Sequence, residues 1–175
     1  MAVKVDATSL AVGLEDGSIE IWERVGYSKG KHPGDGSKLA KAQPFKRLAP
    51  LQKHNDLVRV IDMSPTLVVS GSWDASLKLW NRKTGNLLDT YVSPEGPVSG
   101  IYLNESSNSI LFSARSGKVK KLMIKDLSSL MLSPTFEINH GDCVIDMSVD
   151  KNYLLTGGSD AKLVLWTYDS GDKSI

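Results

Sequence analysis

The 175-residue chain has a single cysteine, Cys143, so it can form no internal disulfide, and a secreted cystine framework is excluded. An excess of one charge is also lacking: 21 Lys and Arg stand against 20 Asp and Glu, a formal net charge of +1 that gives no global pull toward nucleic acid or an acidic membrane. No apolar run approaches the roughly 20 residues that a spanning helix needs. Met1 to Asp16 contains no basic segment followed by an apolar one. No stretch has a convincing 3.6-residue period either. What remains is a chain with 41% hydrophobic residues, long enough to bury a core in one domain, and expected in the cytoplasm or nucleus.

What the chain does have is a repeat. Asp16-Gly17-Ser18-Ile19-Glu20-Ile21-Trp22 aligns with Asp74-Ala75-Ser76-Leu77-Lys78-Leu79-Trp80 and with Asp160-Ala161-Lys162-Leu163-Val164-Leu165-Trp166. Each copy is a turn signal followed by alternating apolar residues that end in Trp. Ser116-Gly117-Lys118-Val119-Lys120-Lys121-Leu122 is a degenerate copy between the last two. The spacings of the Trp slot are 58, 42 and 44 residues, which places an insertion of about 15 residues between Glu23 and Phe45. Within each period the alternation is two, interrupted by turns, so the unit is a small antiparallel sheet. Positions 86 residues apart in the second and fourth units match in type, from Val58 and Val144 through Leu79 and Leu165. Short strands at this period make a propeller blade, and the fold class expected is all-β.

Val69-Ser70-Gly71-Ser72-Trp73-Asp74-Ala75-Ser76-Leu77-Lys78-Leu79-Trp80-Asn81 resembles the end of a WD40 repeat, the kind found in the G-protein β subunit and many scaffold proteins. Leu155 through Trp166 resembles it equally. The resemblance covers nearly the whole chain outside the insertion, although the Trp-Asp pair that names the family is missing at the end of each copy, where Trp is followed by Glu23, Asn81 and Thr167. It implies one propeller segment over 1–175 with about four four-stranded blades in an incomplete ring. Those blades fall near 1–23 (with an inserted loop at 24–45), 54–91, 94–136 and 140–175, the last without its outer strand.

A polar quartet recurs with identical spacing: His54, Ser70, Asp74 and Trp80, then His140, Thr156, Asp160 and Trp166. By residue type alone, His, Ser and Asp could form a hydrolase triad. Recurrence with Thr in place of Ser, and the lack of a Gly-x-Ser-x-Gly elbow, favour a structural role. The resemblance implies its form: the indole donates to the hydroxyl, the hydroxyl meets the imidazole, and the turn Asp holds the imidazole. Such a tetrad leaves no buried donor without a partner. The other units depart from it. The first has Val12 in the hydroxyl slot and would need its histidine upstream of Met1. The third has Leu122 in the Trp slot, Phe112 or Ser113 in the hydroxyl slot, and Pro94 or Gly96 where His belongs, so apolar packing alone is expected to hold it.

Closed WD40 propellers resemble six- to eight-bladed discs, so four blades leave two apolar faces and a free edge. The expectation is a partial sequence of a longer propeller; the alternatives are pairing of two copies into one ring, or four blades standing alone. Between Gly26 and Arg47 lie six cations and one anion, read as a solvated loop or a docking site for an acidic partner. Its Gly26-x-x-x-Gly30-Lys31 has the wrong spacing for a phosphate-binding loop. His and Cys spacings give no metal site, and no cofactor is expected. Arg115, Lys118, Lys120, Lys121 and Lys125 alternate over both faces of a strand, so nucleic acid is not indicated.

The functional expectation is a non-enzymatic scaffold that binds another protein or peptide and does not engage a membrane. By position, the resemblance carries the family's partner contacts to Glu15, Trp73, Arg115 and Ser159, the residues just before each turn Asp or its equivalent. Trp73 is the candidate anchor, with packing on the neighbouring blade as its structural alternative. A substrate-recognition propeller of a ubiquitin-ligase adaptor is a second reading, and a hydrolase a distant third.

Overall fold

The computed structural model describes residues 1–24, 45–48, 53–126, 128–150 and 152–167. The described residues are all-β. The first sheet holds β1 (Ala2–Val5), β2 (Ser9–Gly13), β3 (Ile19–Arg24) and β4 (Phe45–Arg47). β5 (Val58–Met63), β6 (Leu67–Ser72), β7 (Ser76–Asn81) and β8 (Leu87–Val92) form the second, and β9 (Val98–Asn104), β10 (Ser109–Ala114), β11 (Lys118–Lys125) and β12 (Ser129–Asn139) the third. The fourth has β13 (Val144–Val149), β14 (Tyr153–Gly158) and β15 (Leu163–Thr167) among the described residues. Every pairing is antiparallel between strands adjacent in sequence. Most of the insertion, including Gly26 to Lys41, lies outside the described residues, as does the stretch where a fourth outer strand would run.

The sheets stack as blades because each presents small or aliphatic residues at the same register to the inner strand of the next. Ala11, Ile19 and Ile21 pack with Val58, Ile61, Val68 and Trp80. One blade on, Leu67, Val69, Leu77 and Leu79 pack with Val98, Ile101, Leu103, Ile110, Phe112 and Leu122. Each fully buried Leu or Val contributes about 1.5–3 kcal/mol, so these junctions are the main source of stability. The third sheet repeats the pattern with Ser109, Leu111, Val119 and Lys121, all buried, and β13 lies against β9 and β10. In the fourth sheet the same four positions are Tyr153, Leu155, Leu163 and Leu165, and all are exposed. Among the described residues the array is therefore not a closed ring.

Polar brackets reinforce the junctions. The nearly buried Asp62 accepts the Leu103 N–H at 2.8 Å through one oxygen and pairs with the Lys4 ammonium at 2.8 Å through the other, so one carboxylate joins the strands on both sides of it. Towards the same end of the second sheet, at the β5–β6 turn, buried Arg82 donates to the Ser64 carbonyl at 2.5 Å and to Thr8 at 3.0 Å, and pairs with Asp6 at 2.7 Å. Burial of these charges is offset by full pairing.

The turns between second and third strands share one conformation. Gly17, Ala75, Gly117 and Ala161 are equivalent, and all have positive φ, from 62° to 89°. A Cβ on Gly17 would sit 2.3 Å from the His54 carbonyl oxygen, and one on Gly117 2.6 Å from that of Asp142, where the chain enters the next blade. Alanine tolerates the other two turns at a strain of about 1–2 kcal/mol. Ala75→Gly should therefore hold or raise the urea midpoint, whereas Gly117→Ala should lower stability by more than 1 kcal/mol (about 1–3). Equilibrium urea unfolding of both variants checks this.

Candidate functional site

The second blade assembles its quartet in a sealed pocket. His54, just before β5, lies against the β6–β7 hairpin, and its side chain is fully buried. The Trp80 indole N–H donates to Ser70 Oγ at 3.0 Å, and Ser70 Oγ lies 2.7 Å from His54 Nε2. The ionised Asp74 carboxylate beside Nδ1 can only accept, so Nδ1 carries the imidazole proton and Nε2 accepts from the Ser70 hydroxyl, which itself accepts from the indole. Nδ1 then faces Asp74 Oδ2 at 3.2 Å and Ser76 Oγ at 2.9 Å. Ser76 also donates to Asp74 Oδ1 at 2.6 Å. Ser76 was missed in the sequence, although Asp74-Ala75-Ser76 and Asp16-Gly17-Ser18 share the Asp-x-Ser signal that marks such a turn.

The fourth blade builds the same linkage with the imidazole turned over. Trp166 donates to Thr156 Oγ1 at 2.9 Å, Thr156 Oγ1 lies 2.8 Å from His140 Nδ1, and Nε2 faces Asp160 Oδ1 at 3.4 Å. Lys162 occupies the Ser76 position and pairs with Asp160 at 2.9 Å; chiefly through that contact the Asp160 carboxyl falls to about 2.

The remaining blades use other solutions. In the first, Trp22 donates to Glu20 at 3.1 Å, and Glu20 is held by Arg47 at 2.7 Å, so a carboxylate replaces the hydroxyl that Val12 cannot supply. Its turn Asp16 instead holds Lys53 at 2.6 Å, which keeps that carboxyl well below the usual range.

The third blade corrects two expectations. Backbone register puts Phe112 opposite Ile101 as Ser70 is opposite Ile61, so Phe112 fills the hydroxyl slot, with Leu122 in the Trp slot. The His slot belongs to neither Pro94 nor Gly96. The Ser93 N–H bonds to the Ala75 carbonyl at 2.8 Å just as those of His54 and His140 bond to Gly17 and Gly117 at 2.9 Å, which makes Ser93 the equivalent residue; the segment leading to β9 is one residue longer. Nor is apolar packing the sole support. Lys118 lies 3.7 Å from Glu95 and 3.2 Å from Glu137, and Lys120 lies 3.6 Å from Glu95 and also pairs with Glu137. Two lysines one alternation apart, downstream of an acidic turn residue, were the available signal.

The turn-face candidates are exposed at equivalent places. Trp73, Arg115 and Ser159 each bond through backbone N–H to a carbonyl at the entrance of the inner strand (Leu57, Pro97, Cys143) at 2.9–3.1 Å. The structure brings two side chains together: the Arg115 guanidinium lies 5.8 Å from the centre of the Trp73 ring, while Trp73 stays 43% exposed. This is cation–π distance. Among the described residues no carboxylate pairs with Arg115. Ser159 instead donates to Asp142 at 2.9 Å, and Glu15 occupies the first blade.

With this geometry in view, the model of the WD domain, G-beta repeat, matches residues 45–81 and 132–167. The chain carries two WD40 repeats. Its WD40 matches begin in the outer strand of one sheet and end in the third strand of the next. "Restriction of telomere capping protein 1" of Lodderomyces elongisporus is 27% identical over 97% of this chain and 14% of its own length. "Pre-rRNA-processing protein IPI3" of Mycosarcoma maydis is 31% identical over 57% of the chain and 18% of its length. The WD40 chain thus spans a small part of these relatives. Among solved structures, the computationally designed Ika4 protein superposes with TM-score 0.71 at 19% identity, over 96% of this chain and 90% of that one. The designed Ika8 protein does so with TM-score 0.71 at 18% identity, over 95% and 45%. A chain of the Mitotic Checkpoint Complex gives 0.69 at 21%, over 94% and 49%.

Ser70→Ala should cost about 1–3 kcal/mol in urea unfolding, because the Trp80 and His54 groups stay buried without their partner. Burial, opposed by the Asp74 charge, pushes the His54 imidazole below its ordinary value of 6.5. The folded state therefore resists a proton that the unfolded chain accepts. Its contribution is complete above about pH 6.5 and is lost as pH falls from there toward the folded value. The urea midpoint should drop between about pH 7.5 and 5.5, and His54→Gln should shrink that drop.

Proposed function

We propose that the chain is a non-enzymatic scaffold that engages another protein or a peptide through its turn face, with Trp73 as anchor and Arg115 beside it. The observation that carries this reading is the Arg115–Trp73 pair: a half-exposed indole and a guanidinium with no acidic partner among the described residues, set on adjacent rigid blades. Large aromatics and arginine are the side chains that most often dominate binding energy at such positions. The WD40 fold supports a role in protein interaction, and function must still rest on the site. The sealed setting of Ser70 and His54 supports a passive quartet, since a substrate carbonyl has no path to that hydroxyl. The relatives' names refer to telomere capping and pre-rRNA processing, which favours a nuclear setting over a cytoplasmic one. No described helix is long and apolar enough to cross a membrane.

Affinity capture from nuclear and cytoplasmic extracts, with wild type and Trp73→Ala/Arg115→Ala side by side, tests this. Proteins enriched by wild type should fall at least tenfold with the double variant (about 1.4 kcal/mol or more), while its melting curve stays close to wild type. An unchanged set of captured proteins would refute the turn-face assignment.

A further inference from the structure

The outward face of the fourth blade is built as a junction. Tyr153, Leu155, Leu163 and Leu165 stand at the register of Leu67, Val69, Leu77 and Leu79, which the third blade covers completely. Leu163 is 74% exposed where Leu77 is fully buried. The glycines agree. A Cβ on Gly13 would strike Val58, and one on the equivalent Gly71 would strike Val98, each valine belonging to the next inner strand. At the equivalent Gly157 the nearest atoms belong to Leu163 and Asp146 of its own blade, so among the described residues no strand takes this slot. A contiguous apolar face of this kind marks an association surface.

The other end of the array carries the complement. Ala2 pairs with Gly13 as Val60 pairs with Gly71, which puts Val3 and Val5 at the register of Ile61 and Met63. Ile61 is buried in the junction with the preceding blade, whereas Val3 and Val5 are exposed, as is Met1. Half-buried Leu10 and Trp22 extend the same face, at the register of buried Val68 and Trp80. One end thus offers what an inner strand needs, and the other end offers an inner strand. The same fold spans 90% of the designed Ika4 chain and 45% of the designed Ika8 chain, so it occurs both as most of a chain and as under half of one.

We infer that the fourth blade docks on the first blade of a second copy of this chain. A two-fold axis repeats the contact with the roles exchanged, so both apolar ends of each copy are covered and the assembly closes. Leu163 and Leu165 of one copy then meet Val3 and Val5 of the other, with Val3 facing Gly157 from the register at which Ile61 reaches Gly13 and Ile101 reaches Gly71. This contact is separate from the turn face, so its failure leaves the scaffold reading untouched.

Sedimentation velocity and light scattering across roughly micromolar to 100 micromolar protein test the inference. Wild type should give about twice the 19.0 kDa chain mass. Leu163→Asp/Leu165→Asp and, separately, Val3→Asp should each give the single-chain mass with unchanged circular dichroism, since all three residues are exposed within one copy. Mixing the two variants should restore some dimer, because one intact pair of faces remains. A wild-type monomer throughout, meaning that other sequence or another partner covers the face, would overturn the inference. So would open-ended polymers, or a dimer indifferent to both variants.

Discussion

Burial of one sheet's aliphatic rows against the inner strand of the next is the contact on which the remaining structure depends. A four-stranded sheet of this size has too little apolar surface of its own to offset the cost of ordering its chain. Stacked, it places Leu67, Val69, Leu77 and Leu79 beneath Val98, Ile101 and Leu103, and the same rows recur at every covered junction. The junctions differ in chemistry, however. The third places Ser109 and Lys121 where the second has Leu67 and Leu79, so it gains less from hydrophobic burial.

The quartets are better understood as consequences of that stacking than as its cause. Bringing two sheets together buries the indole N–H and the imidazole, and each needs a partner once water is gone. Hydroxyl, imidazole and carboxylate supply it in the second and fourth blades, Glu20 with Arg47 in the first, and Phe112 with Leu122 removes the need in the third. The Asp74 carboxyl shows the balance: burial raises its affinity for a proton, but hydrogen bonds from Ser76 and the Asn55 backbone outweigh that and keep it below its ordinary value. Polar satisfaction is thus the constant, and the residues that achieve it vary.

The blade architecture was legible because period-two alternation and the recurring turn-to-Trp phrase are direct imprints of strand geometry. Residues 86 apart could be equated before any coordinates, and Val58 with Val144 or Leu154 with Val68 occupy matching registers. The third blade was less legible for a physical reason. One extra residue before β9 and a longer β9–β10 hairpin break the count back from the following strands, so sequence offset pointed to Pro94 or Gly96 while backbone hydrogen bonding selects Ser93. Long-range pairs such as Lys4 with Asp62, or Arg115 with Trp73, depend on which blades are neighbours and on side-chain reach, and no local pattern encodes them.

The offset between repeat and sheet has an implication for how such chains grow. The matched unit starts in one blade's outer strand and runs through three strands of the next, so its covalent continuity crosses the apolar junction. A gene duplication that copies this unit inserts a link already threaded into both neighbours, rather than a free-standing module that must later find its seat. Lengthening the array in this way never creates an orphan sheet in its middle, and selection has only the two terminal sheets to accommodate.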